Sequence, residues 1–217
     1  MLMEKARHDL VEFGKRLVTA NLTKGTGGNL SVFDRANGTV AITPSGIDFF
    51  EITPEDIVII DLDGKTIEGT RTPSSEWEMH LMPYRHRTDI DAVIHAHTTY
   101  ATVLAVLRQD LLPSHYMVAV AGPNVRCAPY ATYGTHELAV NSYEYMKDRR
   151  AVILANHGIL SGAKDLLNAF NIIEEVESCS QIHYMASCMG SPVILPDEEM
   201  ALMAEKFKTY GQRKAKD

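Results

Sequence analysis

Long apolar runs, cysteine and basic charge are all in short supply in this chain of 217 residues. No apolar stretch approaches the ~20 residues that a membrane-spanning helix requires. Cysteine occurs three times, at Cys127, Cys179 and Cys188. That odd number, with no C-x-x-C pair, speaks against a disulfide framework or a thiolate metal site. Lys and Arg total 21 against 28 Asp and Glu, a net charge of −7, so no broad basic face for nucleic acid is expected. An anionic small molecule is still compatible with that charge if a metal ion or a ring of backbone N–H groups supplies local positive potential. Repeats, low-complexity tracts and Pro/Gly/Ser-rich linkers are missing as well, which predicts one domain over 1–217.

Apolar residues make up 45% and charged residues 23%, enough apolar side chain to offset the entropy of ordering. Leu2, Ala6, Leu10, Phe13 and Leu17 recur at three- and four-residue spacing, predicting an amphipathic first helix with Asn21 as its stop. Glu4, Lys5, Arg7, Asp9, Glu12, Lys15 and Arg16 interrupt any signal-peptide core, so a cytoplasmic protein is expected. Short β-type segments follow at 30–33, 40–43 and 57–61, with the hairpin dipeptides Asn37-Gly38 and Asp63-Gly64 beside them. Apolar runs at 92–94 and 151–155 read as central, buried strands. Helical spacing returns over 74–87, 100–107, 135–146, 166–189 and 197–208. Hairpins interspersed with helices predict a layered α/β or α+β domain. A dinucleotide fold is disfavoured, because no strand precedes the glycine run 25–28.

The residues that can carry chemistry cluster at strand and helix ends. In Ala92-Val93-Ile94-His95-Ala96-His97, a strand continuing through His97 would put both imidazoles on one face, roughly 6.6 Å apart at ~3.3 Å per residue. Such a pair can converge on one Zn²⁺, or can form a hydrogen-bonded core pair instead. His157, at the end of the second buried run and followed by Gly158, completes a set of three histidines. Three protein ligands and one open position is the arrangement of catalytic zinc. In Pro73-Ser74-Ser75-Glu76-Trp77, Ser74 is a good N-cap, and a helix start with two serine hydroxyls is a ready phosphate cradle. Glu76 is the carboxylate wanted beside a metal, as ligand, general base, or each in turn. Gly27-Gly28-Asn29 and Pro44-Ser45-Gly46 are further donor-rich turns. His80 reads, like the other remaining histidines, as a surface or satisfied core position, or, lying one turn after Glu76, as a partner to it. On these residues alone a zinc hydrolase stays open beside sugar-phosphate chemistry.

The motifs, taken in order, are G-T-G-G-N-L-S-V at 25–32, I-T-P-S-G at 42–46, P-S-S-E-W at 73–77 and A-V-I-H-A-H at 92–97. H-Y-M at 115–117, C-A-P-Y-A-T-Y-G-T at 127–135, N-H-G at 156–158 and E-K-F-K-T-Y-G at 205–211 follow. This series resembles the family of class II zinc-dependent sugar-phosphate aldolases and ribulose-phosphate 4-epimerases, over about 20–211. The resemblance implies a three-layer α/β domain with a central mixed, largely antiparallel sheet flanked by helices. It implies one zinc per subunit on His95, His97, His157 and Glu76, with Glu76 also the acid/base. It places Gly28, Asn29, Ser45, Gly46, Ser74 and Ser75 in phosphate-binding loops. Tyr116 is implied as a proton donor reaching a neighbouring subunit's site. Tyr133, Phe207 and Tyr210 are implied to line the aldehyde pocket, the last two on a mobile tail from about 205. The implied assembly is a homotetramer with active sites at its interfaces. The implied reaction is reversible cleavage of a ketose 1-phosphate, with L-fuculose 1-phosphate expected, into dihydroxyacetone phosphate and an aldehyde. Two positions depart from the aldolase pattern, Ser45 for Thr and Tyr133 for Phe. Glu76 stands where the epimerase branch carries Asp, which favours the aldolase.

Overall fold

Strand-period and helix-period segments assemble around a single sheet in the computed structural model, which describes residues 1–209. The strands are β1 (Asn29–Asp34), β2 (Thr39–Ile42), β3 (Val58–Asp61), β4 (Thr66–Glu68), β5 (Ala92–Ala96), β6 (Cys127–Ala128), β7 (Ala151–Leu154) and β8 (Gly158–Ala163). Their order across the sheet is β4-β3-β2-β1-β5-β8-β7-β6. Among the described residues every neighbouring pair runs antiparallel except β6 with β7. The helices are α1 (Glu4–Thr19), α2 (Trp77–His86), α3 (Thr99–Leu107), α4 (His136–Met146), α5 (Leu166–Met189) and α6 (Asp197–Phe207).

Both faces of the sheet are covered, and strand alternation sorts side chains between them. Ala41, Ile59, Ala92, Ile94, Ile153 and Ile159 pack with Leu10 and Leu17 of α1, Leu104 of α3, Phe170 and Ile173 of α5 and Met200 of α6. Val40, Ile42, Val58, Ile60, Val93, Val152 and Leu160 pack with Met79, Leu81 and Tyr84 of α2 and Leu138, Ala139 and Met146 of α4. The result is the three-layer domain with a mixed, largely antiparallel sheet that the sequence implied.

Both hairpins form, but each loop has an aspartate starting it as well as the glycine. Gly38 and Gly64 take positive φ, 66° and 82°. The Asp34 carboxylate accepts from the N–H groups of Ala36 and Asn37, and Asp61 accepts from those of Asp63 and Lys65. Gly64 matters for a second reason: a Cβ there would lie 2.5 Å from the indole of Trp77, which covers the β3–β4 turn.

One charge of the first helix is buried. Arg7 is 1% exposed and donates to the carbonyls of Leu2 (2.8 Å), Pro54 (3.0 Å) and Ile57 and to the Glu68 carboxylate (2.6 Å). It therefore ties α1 to the segments around β3 and β4. Arg7→Met would leave buried carbonyls unpaired and is expected to lower unfolding free energy by about 2–4 kcal/mol, read by urea denaturation. An unchanged midpoint would show that the arginine is dispensable.

Candidate metal centre and active-site cleft

The sheet's central strands deliver the histidines. Asn29 of β1 lies directly across from His95 of β5, so both side chains emerge on the α2 face. The strand stops at Ala96, one residue short of the expected extension, and His97 follows it immediately. Even so, the two rings converge, with Nε2 of His95 and His97 3.0 Å apart. His157 comes from the tight connection between β7 and β8, where Asn156 holds positive φ (54°). Gly158 is required there because a Cβ would approach the Ala96 carbonyl to 2.5 Å. The three ring centroids lie 4.7–5.1 Å apart.

Glu76 closes the group from α2. Helix α2 begins at Trp77 with Glu76 in the N-cap position, so the expected cap at Ser74 lies two residues too early. Ser74 instead accepts the Glu76 N–H through its hydroxyl (3.3 Å) and the Trp77 N–H through its carbonyl (3.1 Å), forming the turn before the helix. Oε2 of Glu76 lies 3.5 Å from His95 Nε2, and Oε1 lies 3.5 Å from His157 Nε2. Asn29 donates its amide N–H to Oε2 at 2.9 Å, while the buried Oε1 has no hydrogen-bond donor among the described residues.

Electrostatics prepares the rings as ligands. Burial holds His95, His97 and His157 below the usual imidazole value of 6.5, and neighbouring rings lower His95 and His97 further, so all three are neutral near pH 7. Nδ1 of His95 donates to the Ile159 carbonyl (2.9 Å), which leaves Nε2 as the lone pair facing the cluster. Four ligands at 2.0–2.1 Å from a tetrahedral cation stand about 3.4 Å from one another. The observed 3.0 and 3.5 Å separations and the unpartnered carboxylate oxygen fit a divalent ion with nitrogen and oxygen donors.

A cleft of about 410 Å³ opens above this group. Its walls are Gly27, Gly28 and Asn29, then Pro44, Ser45 and Gly46, then Ser74, Ser75 and Glu76, with His97 and His157 toward the metal side. Gly28 has φ 84°, and a Cβ on it would meet the His95 carbonyl at 2.6 Å, so this turn must be glycine for strand and loop to touch. Ser45, Gly46 and Ser75 are exposed, whereas Asn29 is 6% exposed, with its amide committed to Glu76 and to His80. Tyr133, 68% exposed, stands in the cleft wall. Tyr130 and Asn156 line it too and were not singled out from sequence; their signal was adjacency to Tyr133 in one loop and to His157 in one turn. Tyr116 and Phe207 are elsewhere. Their rings pack 6.3 Å apart and line a separate cavity of about 1240 Å³. Tyr210 lies outside the described residues.

With that geometry in place the class follows: the chain belongs to the class II aldolase family, whose description, Class II Aldolase and Adducin N-terminal domain, matches residues 8–184. It is an aldehyde-lyase of a class that depends on a metal ion. It is similar to a solved structure of an L-fuculose 1-phosphate aldolase, at TM-score 0.94 and 65% identity, covering 96% of this chain and 98% of that one. It is 52% identical to the 5-deoxy-D-ribulose 1-phosphate aldolase of Bacillus thuringiensis, over 98% of this chain and all of the relative. It is 39% identical to the L-fuculose phosphate aldolase of Escherichia coli, over 98% of this chain and 99% of the relative. No helix among the described residues is long and apolar enough to cross a membrane.

Stability without metal should depend on pH. His80, His95, His97 and His157 are all lowered from 6.5 chiefly by burial, so the unfolded chain takes up protons that the fold resists. Their contribution is intact above 6.5 and is lost as pH falls below it. In chelator, the melting temperature is expected to drop steadily from about pH 7 to about pH 5. A flat profile would contradict the buried, neutral state of these rings.

Proposed function

We propose that the protein cleaves L-fuculose 1-phosphate reversibly to dihydroxyacetone phosphate and L-lactaldehyde, with one Zn²⁺ per chain. The observation that carries this reading is the convergence of three neutral imidazoles and Glu76 beside a cleft walled by three donor-rich turns. That pairing suits a substrate with a phosphate at one end and a chelating carbonyl and hydroxyl a few atoms away. A hydrolase would use the metal but leave the three turns without a task.

His95, His97, His157 and Glu76 would hold the ion, and when bound it supplies Lewis acidity at the substrate carbonyl. The turns at Gly28–Asn29, Ser45–Gly46 and Ser74–Ser75 receive the phosphate through serine hydroxyls and through backbone N–H groups other than those of Ser45 and Ser74, which donate to Thr72 and Thr43. Anchoring that end fixes the carbons to be parted and contributes binding energy remote from the reacting bond. Glu76 moves the proton at the hydroxymethyl carbon, on the far side of the carbonyl from the phosphate-bearing carbon. It takes that proton from dihydroxyacetone phosphate in synthesis and returns it in cleavage. No lysine is needed as a covalent electron sink.

Tyr116 is the proton donor to the aldehyde oxygen in synthesis, contributed by a neighbouring copy in a homotetramer. Its exposure (46%) and its position outside its own cleft support that role. Phe207, beside it, takes part in the same aldehyde pocket, with Tyr133 on the opposite side. The three free cysteines fit a cytoplasmic setting.

A second substrate has a specific observation behind it. The Bacillus thuringiensis relative is named for 5-deoxy-D-ribulose 1-phosphate, and Tyr133 presents a hydroxyl in the wall of the cleft. Both ketose 1-phosphates share the phosphate and carbonyl, and they part company at the aldehyde.

A panel of ketose 1-phosphates, assayed for dihydroxyacetone phosphate with and without chelator, decides between them. Turnover is expected to be greatest on L-fuculose 1-phosphate, to vanish with chelator and to return with Zn²⁺. Metal-indifferent turnover, or none on any ketose phosphate, would overturn the reading. Glu76→Gln is expected to lower kcat by about 10²–10⁴-fold while affinity for dihydroxyacetone phosphate survives. Mixed with Tyr116→Phe chains, it should regain activity through sites built from two copies; failure to complement would remove the shared-site assignment.

A further inference from the structure

Behind Glu76, away from the cleft, runs a chain of buried polar groups that the reaction as described does not use. His80 of α2 is completely buried and has both ring nitrogens engaged. Nε2 is hydrogen-bonded to Asn29 Oδ1, and Nδ1 is 2.7 Å from the Ser31 hydroxyl. That hydroxyl is also 2.7 Å from the Tyr84 hydroxyl, which lies 3.0 Å from the Ser31 carbonyl as well, so the single Tyr84 proton is shared between the two serine oxygens. The spacing follows from the secondary structure. Asn29 and Ser31 are two apart on β1 and share its α2 face, while Glu76, His80 and Tyr84 are four apart along the start and body of α2. One imidazole can therefore bridge two successive same-face residues of the strand.

Proton direction along this chain has a single solution. The Glu76 carboxylate only accepts, so Asn29 must present its N–H₂ to Oε2. The Asn29 carbonyl oxygen then faces His80, and it too only accepts, so Nε2 of His80 carries the proton. Burial pushes the His80 imidazolium down to about 3, so the ring is neutral and Nδ1 is an acceptor. The Ser31 hydroxyl donates to that nitrogen, and its oxygen is left to accept from Tyr84. Every bond points the same way, from Tyr84 through Ser31, His80 and Asn29 to Glu76.

We propose that His80 is a positioning residue, which as its neutral Nε2–H tautomer fixes the Asn29 amide so that Asn29 holds one oxygen of Glu76 and leaves the other free toward the metal and substrate. Neither His80, Ser31 nor Tyr84 lines the cleft, and their hydrogen-bonded route to Glu76 runs through Asn29. Were the amide to turn over, its oxygen would oppose the carboxylate and drive it out of place. The inference rests on the aldolase reading for its consequence in turnover, but the hydrogen-bond direction and the effect on metal affinity stand apart from which sugar is cleaved.

The test compares the zinc-loaded wild type with His80→Phe, which keeps a flat ring and removes both nitrogens, and His80→Gln, which keeps a donor and an acceptor. His80→Phe is expected to weaken zinc binding, measured by competition with a chromophoric chelator, and to lower kcat by about 10–100-fold each, with little change in KM. His80→Gln should recover both to within about threefold of wild type. ¹⁵N NMR of histidine-labelled wild type should show His80 protonated at Nε2 and bare at Nδ1. Should His80→Phe fail to fold, the tautomer and the Gln comparison decide the matter by themselves. A His80→Phe protein with wild-type zinc affinity and kcat, a Gln variant no better than Phe, or an Nδ1–H tautomer would overturn the assignment. If the wild type binds zinc but splits no ketose phosphate, the reaction is wrong, and the zinc and NMR comparisons still judge His80.

Discussion

Three imidazoles and a carboxylate crowded together at the foot of an open cleft constrain everything around them. Their nitrogens approach to 3.0 Å and their rings are kept neutral by burial, so each presents a lone pair to the same small volume. The Glu76 carboxyl oxygens, each 3.5 Å from an imidazole nitrogen, add a fourth electron-rich group. Such a set suits a shared cation, and its geometry has to be enforced from outside by the backbone. The Ile159 carbonyl turns His95, the close packing of Gly158 on Ala96 brings the β7–β8 turn into place, and Asn29 holds Glu76.

That enforcement explains why the site sits where it does. The strands that carry it are in the middle of an eight-stranded sheet covered on both faces, where register is fixed by burial on two sides. Its carboxylate enters at a helix start, where a residue can leave helical geometry and point back across the sheet end. The donor-rich turns, by contrast, lie at strand ends, where two of them pair with each other: the Ser45 N–H donates to the Thr72 carbonyl and the Ser74 N–H to the Thr43 carbonyl. The rigid histidine cluster and the donor-rich turns thus come from different parts of the same architecture.

Much of this was legible in the sequence. The paired histidines at 95 and 97 and the N-H-G turn advertised the cluster, and the two NG/DG dipeptides advertised the hairpins. Less visible were β4, β6 and β8. The first two are three and two residues long and exist because a neighbour pairs with them. In β8, Gly158, Ser161 and Gly162 dilute the apolar signal, yet Ser161 bonds the Ala169 carbonyl and a Cβ on Gly162 would crowd Met146. Tertiary contact, not local preference, chose those residues. The helix start misread at Ser74 has a similar origin, because the serine caps a preceding turn and leaves the true N-cap to Glu76. Asn29 carried a phosphate-loop expectation from the family likeness; its bonds to Glu76 and His80 depend on α2 crossing β1, which no local pattern announces.

The indole resting on the β3–β4 turn belongs to the chain's single tryptophan, and a single peptide bond separates it from Glu76. All tryptophan emission from this polypeptide therefore originates at one spot, next door to the carboxylate that closes the histidine cluster. The molecule carries its own optical probe, with no second indole to blur the signal.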